Sequence, residues 1–317
     1  MVSIKRQKII MDVDTGVDDA LAILLAVHSQ AFDLAGITVV SGNVALEQSL
    51  LNTNKIIRWL GMQQQIPIIR GANRPLVRQP CYEHRVHGKD GLGGALADLK
   101  VGPLHQQTNA VTFLIEQVMA HKHELTLIMT APLTNLALAV KRCPEMVDNV
   151  QRVIIMGGVF ASYGNVTPTS EFNMYVDPEA AKIVLHAGLP ITLVGLNVTR
   201  RVLLTEQHLQ LLGSDPTGML VRRLTDHYMD VSAKRSGKRA CALHDPLAVG
   251  VALDPSIVTT HPYYVDVETD SDLCDGQTIC DFQNRWGKQP NARVCTQVDS
   301  DRFLRMFIHD LKQETDI

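Results

Sequence analysis

Four aspartates, Asp12, Asp14, Asp18 and Asp19, crowd into eight residues where two apolar stretches meet, Lys8–Val13 and Val17–Gln30. Carboxylates this close repel one another and resist burial. A helix start explains one or two of them, because acids stabilise a first turn and Asp or Thr often caps it. It hardly explains four. A hard divalent cation explains the set, since Ca²⁺ or Mg²⁺ takes oxygen ligands and neutralises their charge. The spacing is not that of an EF-hand loop, so the remaining oxygens must come from elsewhere in the chain.

Other candidates are weaker one by one. His244-Asp245-Pro246 opens a helical pattern, and alone it reads as a capped helix start with an early proline. Asn165 and the run Glu171-Phe172-Asn173 sit in a long polar connection, and Asn43 follows the apolar run that ends at Gly42. Such residues are ordinarily solvated or turn-forming, yet amides and carboxylates are also the groups that bind sugar hydroxyls.

The elements that must position these residues alternate. Strands are expected at Lys8–Val13, Leu34–Val40, Ile66–Ile69, Leu125–Thr130, Val150–Met156 and Ile191–Val194. Helices are expected at Val17–Gln30, Ala45–Leu60, Ala110–His121, Leu133–Lys141 and Pro178–His186. Near-continuous Val/Ile/Leu strands separated by helices fit a mostly parallel sheet covered on both faces. Further on, Met219–Ser232, Pro246–Leu253 and Arg302–Lys312 read as helices, and Tyr263–Glu268, Thr278–Phe282 and Ala292–Thr296 as strands of a small C-terminal portion. One α/β domain over residues 1–317 is the expectation. Three connections, Gly71–Leu104, Gly157–Val176 and Ser232–His244, break the alternation and could converge on one crevice beyond the strand ends.

Composition narrows the class. The 317 residues carry 30 Lys+Arg against 33 Asp+Glu, a net charge of −3, which offers no basic field to hold nucleic acid. With 5% aromatic residues there is little material for base-stacking platforms. The longest apolar run, Ala20–Val27, is too short to cross a bilayer, and an aspartate follows the N-terminal charges too soon for a signal peptide. The six cysteines form no C-x-x-C pair, which suits idle thiols in a reducing compartment. A cytoplasmic protein without membrane or nucleic-acid partners is expected.

In chain order stand DxDxxxDDA, VxGN, VHGxxGL, TxPLTN, MGG, GNxTPxxEFN, DPEAA and HDP. Together they resemble the inosine–uridine nucleoside hydrolases, most of all the broad-specificity bacterial ribonucleoside hydrolases, from about Lys8 to Lys312. The resemblance implies hydrolysis of the N-glycosidic bond of purine and pyrimidine ribonucleosides in nucleoside salvage, and a homo-oligomer, dimer or tetramer. It implies one Ca²⁺ held by the side chains of Asp14, Asp19 and Asp245 and the carbonyl of Thr130, with Asp14 as the base that activates the metal-bound water. Ribose binding falls to Asp18, Asn43, Asn165, Glu171, Asn173 and Asp245, with Phe172 beside them. His87, Tyr228 and His244 match the nucleobase side. Chemically, carboxylates around the sugar suit an oxocarbenium-like transition state, and a histidine suits protonation of the leaving base near neutral pH. His244 is the candidate for that acid, and Asp12 a supporting residue.

Two positions depart from the pattern: Thr15 replaces a proline, and Lys89 stands where an acid is frequent. No tryptophan falls in the three connections, which argues against members that sandwich a purine between indoles. Two other functions compete. Asp12-Val-Asp14-Thr also resembles the start of haloacid-dehalogenase-type phosphatases, with Asp12 as nucleophile and Mg²⁺ as cofactor. That reading leaves EFN, GNxTP and HDP unexplained. A non-catalytic nucleoside-binding protein would need no general base, and Asp14 is present.

Overall fold

The computed structural model describes residues 6–104 and 108–312. Six strands run in chain order: β1 (Gln7–Val13), β2 (Phe32–Val39), β3 (Ile68–Arg70), β4 (Leu125–Met129), β5 (Arg152–Met156) and β6 (Ile191–Val194). A two-stranded ribbon follows, β7 (Leu203–Thr205) with β8 (Ala240–Ala242), then β9 (Val258–Tyr263), β10 (Val265–Val267), β11 (Thr278–Cys280) and β12 (Ala292–Val298). The main sheet has the order β3-β2-β1-β4-β5-β6-β12-β9, parallel throughout except for the edge strand β9.

Strands buried on both faces need apolar residues on both faces. All five residues of β4 are buried, and so are the last five of β1. Two core clusters result, one per face. One joins Ile9, Met11 and Val13 to the helices Val17–His28, Leu46–Trp59, His244–Leu253 and Ser300–Leu311. The other joins Ile10, Leu127 and Ile155 to Ala110–Ala120, Thr134–Arg142 and Pro178–Leu185.

The chain leaves β1 toward β2 and β3, then returns to pair β4 on the other side of β1. That reversal opens a crevice beyond the carboxyl ends of β1 and β4, where open α/β sheets place their ligands. The helices Val17–His28 and His244–Leu253 pack together, and their N-terminal turns carry Asp18, Asp19 and Asp245.

The C-terminal portion is less separate than its sequence suggests. β12 extends the main sheet by pairing parallel to β6, and β9 closes the edge. The expected strand Tyr263–Glu268 is divided between β9 and β10, and Pro262 stands in β9, an edge strand where a missing donor is tolerated. Ser232–His244 is not a long loop: the helix runs Pro216–Ser236, and β8 follows. All six cysteines are unpaired. Among the described residues no helix is long and apolar enough to cross a membrane.

Candidate active site

Asp14 leaves the end of β1 and turns its carboxylate onto Gly42, which follows β2. A Cβ on Gly42 would lie 1.9 Å from Asp14 Oδ2, so the close approach requires glycine there. The next residue closes the contact. The backbone N–H of Asn43 donates to Asp14 Oδ2 at 2.6 Å, and its side-chain amide donates to Asp14 Oδ1 at 3.1 Å and to Asp19 Oδ2 at 3.2 Å. Asp19 also accepts from Gly16 N at 2.9 Å and, on its other oxygen, from Thr130 Oγ1 at 2.8 Å. Three strand ends and a helix start thus meet on two carboxylates.

Asp18, Asp19 and Asp245 bring carboxylate oxygens within 4.8 Å of one another. Asp14 lies outside that closest trio but touches Asp19. Burial, reinforced by the neighbouring negative charges, pushes Asp14 and Asp245 well above the usual carboxylate range. Burial likewise raises Asp18 and Asp19 to about 6. Asp18 Oδ1 and Asp245 Oδ2 are buried without a hydrogen-bond partner. Orphaned oxygens in a repelling set are what a divalent cation would satisfy, so the donor chemistry fits one. The Thr130 carbonyl accepts from Asn173 Nδ2 at 3.0 Å and keeps a second lone pair.

One wall is built on the connection after β5. Both oxygens of Glu171 accept main-chain N–H groups, from Asn173 at 2.9 Å and from Gly158 and Met174 at 2.9 and 3.1 Å. These bonds cap the short helix Phe172–Val176 and hold Glu171 rigidly, while burial still lifts its pKa to about 7. Asn165 Oδ1 accepts from Phe172 N at 3.0 Å, tying the tip of the connection to that helix.

The opposite wall holds His87, Tyr228 and His244. His87 Nδ1 accepts from Val17 N at 3.1 Å and lies 3.7 Å from Asp18, which fixes the His84–His87 turn over the start of the first helix. Its ring meets Tyr228 edge-on at 6.4 Å. Thr199 Oγ1 bonds His244 Nδ1 at 2.7 Å, and Tyr228 Oη lies 3.4 Å from His244 Nε2. Burial, helped by the Arg200 charge, drives the His244 pKa down to about 3, so the expectation of a group titrating near neutrality does not hold: the ring is neutral. Burial puts His87 at about 4.

These walls enclose a cavity of about 990 Å³ lined by Asp18, Asn43, His87, Thr130, Asn165, Glu171, Phe172, Asn173, Tyr228, His244 and Asp245. The sequence-picked residues converge, with Asp14 and Asp19 in the floor beneath. Thr199 and Arg200 were not among them, and Gly42 stood in the VxGN motif without a role of its own. The glycine carried a signal in its place before Asn43, whereas Thr199 and Arg200 carried none. Asp12 lies behind the floor, where Oδ1 accepts from Thr38 and from Asn135 at 2.8 Å. Thr15 replaces proline at no loss of bonding, since its hydroxyl pairs with that of Thr53 at 2.6 Å. Lys89 is exposed, and nothing in the structure gives it a part in the site.

Buried carboxylates flanked by amides, in the strand-end crevice of a doubly wound sheet, are the equipment of a sugar-processing hydrolase. The chain matches the inosine-uridine preferring nucleoside hydrolase family over residues 9–305 and belongs to it; its members hydrolyse the N-glycosidic bond of nucleosides. It is 33% identical over 304 residues to the pyrimidine-specific ribonucleoside hydrolase RihB of Escherichia coli, covering 94% of this chain and 95% of that one. Among solved structures it resembles the purine-preferring ribonucleoside hydrolase from Gardnerella vaginalis, with TM-score 0.89, 33% identity, and 96% and 98% of the two chains covered. A plant nucleoside hydrolase, PpNRh1, matches with TM-score 0.91, 32% identity and coverage of 96% and 99%.

Proposed function

We propose that this nucleoside hydrolase cleaves both purine and pyrimidine ribonucleosides to free base and ribose, with Ca²⁺ as its metal. The observation that carries the metal is the set of buried, mutually repelling aspartates with two orphaned oxygens. Asp14, Asp19 and Asp245 with the Thr130 carbonyl would hold the ion, an all-oxygen set suited to a hard cation. When bound, such an ion neutralises the cluster and lowers the pKa of water.

Asp14 is the base. Asn43 clamps both of its oxygens, so the carboxylate is aimed before substrate arrives and can take a proton from the attacking water. Asp18, Asn43, Asn165, Glu171, Asn173 and Asp245 receive the ribose hydroxyls, and Phe172 packs beside them. Their negative charge and amide dipoles suit the positive charge that grows on the sugar as the bond to the base lengthens. At the base side, His244 acts as a neutral imidazole. Bonded to Thr199 on one nitrogen and facing Tyr228 on the other, it offers a ring N–H as a hydrogen-bond donor to the negative charge growing on the leaving base, which takes its proton from solvent after departure, with His87 beside it. Acceptance of both base classes is supported by equal 33% identity to a relative named for pyrimidines and another named for purines. Among the described residues, no tryptophan lines the cavity to favour purines by stacking. The chain is further proposed to act as one domain, in the cytoplasm, as a homo-oligomer, which sedimentation would test.

The test is reducing-sugar release from a panel of purine and pyrimidine ribonucleosides, before and after prolonged chelation. Ribose from both classes, lost on chelation and restored best by Ca²⁺, is expected. Release from one class alone overturns the breadth, and phosphate release from phosphomonoesters instead would favour the phosphatase chemistry of Asp12.

A further inference from the structure

The turn after β6 is used twice. Thr199 fixes the ring of His244 on the base side, and the next residue, Arg200, reaches the other wall. Its two terminal nitrogens donate to successive main-chain carbonyls, Tyr163 O at 2.5 Å and Gly164 O at 2.7 Å. Its guanidinium also lies 4.1 Å over the Tyr163 ring. These carbonyls sit at the tip of the connection that carries Asn165 and Glu171.

Little else holds that tip. Gly164 N bonds Pro168 O at 2.9 Å and Asn165 N bonds Ser170 O at 3.1 Å, both within the connection itself. Tyr163 is 65% exposed, so no apolar packing anchors it. The turn is tight: a Cβ on Gly164 would meet Thr167 O at 2.2 Å and Ser170 O at 2.3 Å. A tight turn cannot bend locally to follow a substrate; it moves as a block or not at all. The far end of this turn is held by Ser170, whose hydroxyl donates to Asp275 O at 2.6 Å, so Arg200 is the side chain that fixes the Tyr163–Gly164 end, and a planar fork meeting two neighbouring carbonyls does so in one orientation.

We propose that Arg200 is a positioning residue for sugar specificity: it latches the Tyr163–Gly164 tip of the connection so that Asn165, the next residue, stands at the ribose. The proposal deepens the reading above, because it rests on Asn165 facing the sugar.

The experiment compares the wild type with Arg200→Met, Arg200→Lys and Tyr163→Ala. It reads kcat and KM for uridine, inhibition by free ribose and by free uracil, and chymotryptic cleavage after Tyr163. Losing two charge-assisted bonds to a mobile block should weaken uridine and ribose binding by about tenfold each, with uracil inhibition changed less than about twofold. Cleavage after Tyr163 should accelerate. Arg200→Lys should recover part of the loss, since an ammonium cannot span both carbonyls as a fork does. Equal weakening of ribose and uracil, or unchanged ribose inhibition with unchanged cleavage, overturns the latch. If Arg200→Met does not fold, Tyr163→Ala, at an exposed position, should show the ribose-selective pattern at about threefold as the cation–π contact is lost, and its absence overturns the latch. Faster cleavage in an Arg200 variant whose wild type neither releases nor binds ribose would instead keep the latch and sink the sugar assignment.

Discussion

The floor and the roof of the cavity are built differently. In the floor, Asp14, Asp19, Asn43 and Thr130 are buried and bonded to one another or to main chain at strand ends. In the roof, the wall over the base, Arg235, Ser236 and Lys238 line the cavity and reach solvent. Preorganisation is therefore concentrated under the sugar and thins out around the base. A group fixed before binding can discriminate sharply and stabilise charge without reorganising, whereas a mobile surface tolerates variety. The chain should accordingly be strict about the sugar and lenient about the base.

Removing the 2′-hydroxyl should expose that contrast most. A site built to bind a hydroxyl rejects the analogue lacking it by ~10⁴–10⁵ in kcat/KM, because buried polar partners are left unpaired. Uridine against 2′-deoxyuridine and inosine against 2′-deoxyinosine are the pairs to measure. A preference below about tenfold in either pair would place the strictness elsewhere. Asp14→Asn comes next. It takes away the proposed base and a metal donor while keeping a shape that Asn43 can still contact, so kcat should fall by at least ~10⁴ with the fold intact. Near-normal turnover in the metal-loaded variant would remove Asp14 from the mechanism.

His244→Ala probes the roof and should cost less, ~10² on a natural nucleoside. A p-nitrophenyl riboside, whose leaving group needs little help to carry its charge, should lose much less, and equal losses on both substrates would make His244 a positioning residue. Because burial holds His244 near 3, its protonation should leave no limb in the pH profile above about pH 4. A limb near pH 6.5 that disappears in His244→Ala would contradict the neutral ring.

The floor was the more legible region for the same physical reason. Four aspartates beside apolar strands contradict ordinary burial, so their spacing alone asked for an ion, and strands such as Ile191–Val194 announced themselves by nearly continuous apolar residues. The roof offered no such contradiction. Ser232–His244 looked like loop because Lys and Arg mask a helix whose last turns face solvent, and the three-residue strands β7 and β8 are too short for any period to show. Arg200 is invisible in the sequence since its partners are carbonyls, which every residue has. The neutrality of His244 comes from burial and from Arg200, both set by tertiary packing.

The smallest expected effect concerns stability, and it separates floor from roof without any turnover. Burial raises Asp12 and Glu171 to about 7 and Asp18 and Asp19 to about 6, each above its unfolded value near 4. A group whose folded pKa is raised stabilises the fold fully below the unfolded pKa, and that contribution is lost as pH rises through the folded one. Metal-free protein should therefore lose stability from about pH 4 upward, more steeply to about pH 6, more gently from there to about 7, and these groups add no further loss above it. A divalent cation binds only deprotonated carboxylates, so its stabilisation should be small at pH 5.5 and large at pH 8, about 2.7 kcal/mol at a hundred times Kd. For a chain of this size that is a shift of several degrees in Tm, on the scale of about 2–4 °C per kcal/mol. Asp12→Asn is the sharpening variant: it removes one titrating carboxyl behind the floor and leaves Oδ1-type bonding to Thr38 and Asn135 available, so the loss between about pH 6 and 7 should shrink while the steeper loss below about pH 6 remains in part. Tm in chelator that climbs steadily from pH 5.5 to 8, with no added gain from Ca²⁺ at the alkaline end, would mean that the floor carboxylates are not buried against one another, and the contrast with the roof would dissolve.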